Sequence, residues 1–162
     1  DLVNILDIYS EELDFMFEKP EVNSQNNSIF SIESQLEDFI IENWDNTILS
    51  KKYELIVEEG EIVSQQFYAP GTEGDNHIDI LAKDKNNGNY VVIELKKNQT
   101  NDDTIGQTLR YMGWIKKYKK DENVKGIIIA AKYDKKLNLA LSMAPNIEAM
   151  TYEVDFKLRD HN

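Results

Sequence analysis
The sequence predicts an α/β domain with a central mixed sheet flanked by helices. Three observations carry this expectation. Helical and strand periodicities alternate along the chain in the order αβ(β)ββαβαβ. A hairpin signal, NNGN, joins two segments of strand-like alternation. A short apolar run, VKGIIIAAK, suits a buried central strand.

The elements follow in chain order. LVNILDIYSEELDFMFEK places Leu2, Ile5, Leu6, Tyr9, Leu13 and Phe17 at helical spacing, and PEVNSQNNS breaks the pattern. Residues 1–28 therefore read as an acidic helix and linker attached to a domain over residues 29–162. A second helix is expected from Ser31, where a serine precedes acids in the first turn and Ile32, Leu36, Phe39, Ile40 and Trp44 form one apolar stripe. YELIVEEGEIVSQQFYA reads as two short strands around Glu59-Gly60, and HIDILAKD and NYVVIELKK are two more. DDTIGQTLRYMGWIKKYKK is expected to be helical, with Asp102 and Asp103 at its start and four lysines at its end, the polarity that a helix dipole favours. VKGIIIAAK follows as a strand, DKKLNLALSMA as a helix and IEAMTYEVDFKL as a final strand.

Composition removes several classes of protein. The 162 residues are 41% hydrophobic, enough for a globular core and too many for a disordered chain. Without cysteine there is no disulfide framework and no thiolate metal site, which fits a cytoplasmic setting. No apolar run approaches the roughly 20 residues of a membrane-spanning helix, and the acidic start is unlike a secretory signal. The chain begins at Asp1 and not Met, as a trimmed sequence would.

The net charge of −12, from 18 Lys+Arg and 30 Asp+Glu, argues at first against a polyanionic partner. Its distribution says more. Residues 1–82 hold 3 basic and 19 acidic groups, residues 83–120 hold 9 and 4, and residues 121–162 hold 6 and 7. A middle stretch of +5 in an acidic chain points to a local anion-facing surface, or to a solvated lysine-rich helix face.

That stretch contains the residues with chemical potential. Strand alternation sends Val91, Ile93 and Leu95 to one face and Val92, Glu94 and Lys96 to the other. Ile78 and Ile80 flank Asp79, which should then face the side of Leu81. The intervening hairpin makes the two strands neighbours, so Asp79 and Glu94 can lie side by side with Lys96 one pleat on. Adjacent carboxylates raise one another's pKa unless a cation sits between them. Oxygen ligands suit Mg²⁺ or Mn²⁺, and phosphodiesters are a substrate class that such ions serve. The competing reading is a solvated sheet face on which Lys96 makes an ordinary ion pair.

The wider pattern GTEGDNHIDILAKDKNNGNYVVIELKKNQTNDDTIGQTLRYMGWIKKY resembles the catalytic region of the PD-(D/E)xK nuclease superfamily. Within it, IDILA, VVIELK and the GQ…RYMGW helix look like the C-terminal nuclease domain of the NucS/EndoMS group of mismatch and branched-DNA endonucleases, over residues 31–158. The resemblance implies a restriction-endonuclease-like αβββαβ core and metal-dependent cleavage of DNA. It implies that Asp79, Glu94 and the carbonyl of Leu95 hold Mg²⁺ or Mn²⁺ and that Lys96 orients or activates water. Gln107 and Tyr111, at i and i+4 on one helix face, would hold the lysine, the phosphate or the water. An acid from the preceding helix completes the set. Glu33 is the preferred acid because it fits the E-x-x-L register with Leu36, and Glu37, one turn later on the same face, is the alternative.

The resemblance further implies DNA as the partner, with Lys97, Arg110 and Lys116 as backbone contacts together with Lys117, Lys119 and Lys120. Trp114 is either a base-stacking residue or a core aromatic. The proline that gives the motif its name is absent, since His77 and Ile78 precede Asp79. His77 reads as a rim residue, and Gly71 and Gly74 as a turn and not a phosphate loop. Two functional readings stay open: a DNA-cleaving enzyme, and a catalytically inactive nuclease-fold module that binds nucleic acid or protein. A homodimer and a place within a larger protein stay open too.

Overall fold
The computed structural model describes residues 34–72, 76–153 and 158–161, apart from the side chains of residues 98 and 99. The expected acidic helix and linker over residues 1–28, Glu33 and Gly74 lie outside the described residues.

A helix over residues 34–42, here α1, opens the described chain and runs into two 3₁₀ turns, Trp44–Asn46 and Leu49–Lys51. Leu36, Ile40 and Trp44 are buried, and Phe39, expected on the same stripe, is 62% exposed. The buried face is rotated by about one residue, so that Glu37 takes the place beside Leu36 with 3% of its surface exposed.

The segment expected to form two strands forms four. They are β1 (Tyr53–Leu55), β2 (Val57–Glu58), β3 (Glu61–Ile62) and β4 (Gln65–Tyr68). Glu59 and Gly60 both have positive φ, 50° and 85°, and close a two-residue β2–β3 hairpin as the Glu59-Gly60 signal anticipated. The interruptions have a cause in Ser64. Its Oγ accepts from the amide of Ile56 at 2.7 Å and its carbonyl accepts from the amide of Leu81 at 2.8 Å. The little hairpin thus projects from the sheet between β1 and β4.

Next come β5 (His77–Asp84) and β6 (Tyr90–Thr100), joined antiparallel. Helix α2 (Asp102–Lys119) then crosses to β7 (Lys125–Tyr133), parallel to β6, and α3 (Lys135–Ser142) crosses to β8 (Ile147–Thr151), parallel to β7. Parallel neighbours need such crossovers, which place helices against the sheet. The order is β1-β5-β6-β7-β8, and β4 pairs with the His77 half of β5 while β1 pairs with its Asp84 half. This is the expected mixed sheet flanked by helices. The final strand stops at Thr151, and residues 154–157 of the longer expected strand are outside the description.

Two cores cover the two faces of the sheet. Leu36, Ile40 and Trp44 pack with Ile80, Ala82, Val91, Ile93 and Leu95. Tyr111, Met112 and Ile115 of α2 pack with Ile78, Leu81, Val92 and Ile128. β6 therefore alternates as its sequence predicts. β5 does not, because Ile78 and Ile80 fall in opposite cores and the alternation breaks at Asp79. The expectation that both isoleucines face one way, with Asp79 turned toward the side of Leu81, is corrected.

Candidate active site
The break in β5 decides where Asp79 points. The β5–β6 ladder runs from Lys83↔Tyr90 to Ile80↔Ile93, and the same register would bring Asp79 opposite Glu94. There the Asp79 carboxylate accepts the backbone N–H of Leu95, with Oδ2 at 2.8 Å. The side chain lies across the gap between the strands and contacts the residue that separates Glu94 from Lys96. Glu94 is 1% exposed and Lys96 is half-buried, and both belong to the α2 side of β6.

Directly after Lys96 the pairing with β7 shifts. Lys96 stands opposite Ala130 and Gln99 opposite Lys132, so β6 holds one extra residue between them. Such bulges bend a strand and re-aim the side chains beside them. The bulge separates the straight part of β6, which carries Glu94 and Lys96, from the part that leads into α2.

On α2, Gln107 Nε2 and the Tyr111 hydroxyl are 3.5 Å apart, at the outer limit of a hydrogen bond. Tyr111 is fully buried against the sheet and Gln107 half-buried beside it. The start of α2 is fixed by Asn101, whose side chain accepts from the amide of Asp103 at 3.0 Å. Thr100 and Thr104 are buried with hydroxyls 2.6 Å apart, and Thr108 back-bonds to the Thr104 carbonyl at 2.7 Å.

From the opposite face comes Glu37. Burial pushes its carboxyl from 4.5 up to about 7, Gln66 lowers it through a 2.7 Å hydrogen bond, and the negative charge of Asp79 raises it again. Glu37 is thus within electrostatic reach of Asp79. The sequence pointed to it indirectly, because apolar residues at i+3, i+4 and i+7, Ile40, Ile41 and Trp44, put it on a buried stripe. Gln66 carried no recognisable signal.

The basic residues are spread along α2 and β6. Lys97 is half-buried beside the bulge, and Arg110 is exposed on α2. Lys116 pairs with Glu122 at 2.8 Å, which raises its pKa, and Lys120 ends the helix in the left-handed conformation. Lys117 lies over the Tyr118 ring at 5.0 Å and Lys119 over Phe67 at 5.2 Å. Trp114 donates to the Pro70 carbonyl at 3.0 Å and packs between Phe67 and Tyr118, as a partly buried member of the α2-side core. The His77 ring packs on Tyr68, with centroids 5.2 Å apart, and Gly71, at φ 83°, makes a turn.

Among the described residues, no three His, Asp or Glu side chains gather into a ready-made cation cage. The donor set nevertheless fits a hard divalent ion. Mg²⁺ is commonly held by one or two carboxylates plus substrate oxygens and waters, and Asp79, Glu94 and the Leu95 carbonyl offer oxygen donors only.

An antiparallel set of strands behind one helix, followed by a crossover helix and a parallel strand, defines a mixed α/β domain with its sheet flanked by helices. The sequence profile described as Endonuclease NucS C-terminal domain matches residues 32–159. The chain belongs to this family. No curated protein sequence matches it. Among solved structures it is similar to an EndoMS–dsDNA2 complex, with a TM-score of 0.56 at 20% identity over 77% of this chain and 46% of that one. It is also similar to a repair endonuclease from Pyrococcus abyssi, with a TM-score of 0.56 at 23% identity over 85% and 50%. Apo EndoMS gives 0.51 at 19% over 75% and 45%. At these identities the likeness is one of fold, and the chain spans about half the length of those proteins.

Proposed function
We propose that this domain is a nuclease of the PD-(D/E)xK type that hydrolyses DNA phosphodiester bonds with Mg²⁺ or Mn²⁺. The observation that carries the proposal is the Asp79 carboxylate on the amide of Leu95, which joins Asp79 to the strand segment bearing Glu94 and Lys96. Asp79, Glu94 and the Leu95 carbonyl would hold the ion, with an acid of the preceding helix, Glu37 or Glu33, behind them. When bound, the cation supplies Lewis acidity toward the phosphate and a water of lowered pKa. Lys96 adds positive charge where negative charge develops on the phosphate and orients the attacking water. Gln107, held near the Tyr111 hydroxyl, positions the lysine or a phosphate oxygen. The solved relatives named for a DNA complex and for repair support DNA as the substrate. Lys97 and Arg110 lie on the elements that carry the site and are proposed backbone contacts; Lys116 contributes once its pair with Glu122 opens.

The test is cleavage of DNA with Mg²⁺ or Mn²⁺ by the wild-type chain and by Asp79→Ala, Glu94→Ala and Lys96→Ala. Each variant should fold and lose at least 100-fold in rate, within the range assigned to single electrostatic groups in active sites. Full activity of Glu94→Ala would sink the assignment.

A further inference from the structure
Gln66 is the only non-glycine residue inside a described strand with a left-handed backbone, at φ +49°. Residues with a Cβ adopt this conformation at a cost in strain, so its presence in a strand calls for a compensating contact. The contact is on the other side of the sheet from α2. Successive strand residues should face opposite ways. Here both glutamines reach α1: Gln65 Nε2 donates to Asp38 at 2.6 Å and Gln66 Nε2 donates to Glu37 at 2.7 Å.

The neighbouring strand changes face at the same rung. Gln65 pairs with Ile80 and Phe67 with Ile78, so Gln66 and Asp79 share the rung between them. Ile80 belongs to the α1-side core, while Ile78 and Phe67 belong to the α2-side core. The two strands therefore turn over together at Gln66 and Asp79. That turn leaves Asp79 lying across to Leu95 and Gln66 facing Glu37.

We propose that Gln66 is a positioning residue, whose left-handed backbone and side-chain amide hold the buried Glu37 carboxylate behind Asp79, next to the cation site. The proposal rests on the cation site put forward above. A glycine would relieve the backbone but remove the amide, and an ordinary strand residue would keep its side chain off α1; glutamine in this conformation provides the contact to Glu37.

The experiment is calorimetric titration of Mn²⁺ into the wild-type chain, Gln66→Gly, Gln66→Asn, Glu37→Gln and the Gln66→Gly/Glu37→Gln pair, with melting temperatures taken in EDTA. Gln66→Gly should melt at or above the wild-type temperature yet bind Mn²⁺ at least tenfold more weakly. Gln66→Asn, which tolerates the left-handed backbone but withdraws the amide by one methylene, should show the same loss. The double variant should bind no more weakly than Glu37→Gln alone, because both changes remove one interaction. Wild-type Mn²⁺ affinity in either Gln66 variant, or a lowered melting temperature with unchanged affinity, would make Gln66 a structural tie and overturn the proposal. A wild-type chain that binds no Mn²⁺ would overturn the cation site itself, an outcome distinct from the other two.

Discussion
Glu37 shows how one buried carboxyl links stability to function. Burial holds its pKa near 7 in the folded chain, while in the unfolded chain it ionises near 4.5. Its protonated form therefore contributes stability that is complete below about pH 4.5. That contribution declines as pH rises and is lost by the time pH has passed the folded value of about 7. Glu37→Gln removes the titration. In EDTA, the melting temperature of the variant should gain on the wild type between pH 5 and pH 8, and parallel profiles would contradict this. Added Mn²⁺ should raise the wild-type melting temperature more at pH 8 than at pH 5, since the cation competes with the proton for the carboxylates. At this scale the sequence was partly legible. Asp79, Glu94 and Lys96 stood out by residue type and spacing, but the direction of Asp79 did not, because regular alternation is the only rule available without the neighbouring strands.

At the scale of elements, α2 sits against the sheet through a contact that only glycine permits. A Cβ on Gly126 would stand 2.7 Å from Thr108 Cγ2 and 2.9 Å from Met112 Sδ. Gly126→Ala should therefore destabilise the chain by about 1–3 kcal/mol, the usual range for overpacking, readable in urea denaturation. The loop that follows α2 is held by Asp121. Its carboxylate is buried and accepts the amides of Tyr90 at 2.6 Å and Asn123 at 2.9 Å. Asp121→Ala leaves both donors unmet and should cost a similar roughly 1–3 kcal/mol. The expected helices at α2 and α3 appear as read, since their periodicities are long and capped by Asn101 and Asp134. The strands before β5 were misread as two because the break depends on Ser64 bonding to Ile56 and Leu81, contacts that the local pattern does not encode.

For the molecule as a whole, the net charge of −12 and the basic stretch over residues 83–120 remain in tension. Part of the acidity lies in Asp79 and Glu94, where the proposed ion would offset it. Lys96, Lys97 and Arg110 lie on the elements that carry that site, and Lys117 and Lys119 lie over the rings of Tyr118 and Phe67. DNA binding in EDTA should accordingly be weak and should fall steeply between 50 and 200 mM salt, while a divalent ion should strengthen it; fluorescence anisotropy with labelled duplex and single strands reads both effects. Salt-independent binding would contradict the electrostatic account. Among the described residues, no helix is long and apolar enough to cross a membrane.

The sequence by itself determined the class of fold, the order of its main elements and the neighbourhood of Asp79, Glu94 and Lys96. Periodicity and turn chemistry are local, and they survive without knowledge of the partners. Tertiary structure decided the rest: the break in β5 that turns Asp79 to Leu95, the burial that raises Glu37, and the left-handed Gln66 that meets it. Each depends on what packs from another element, and a face of a helix or a rung of a sheet takes its meaning only from the surface opposite.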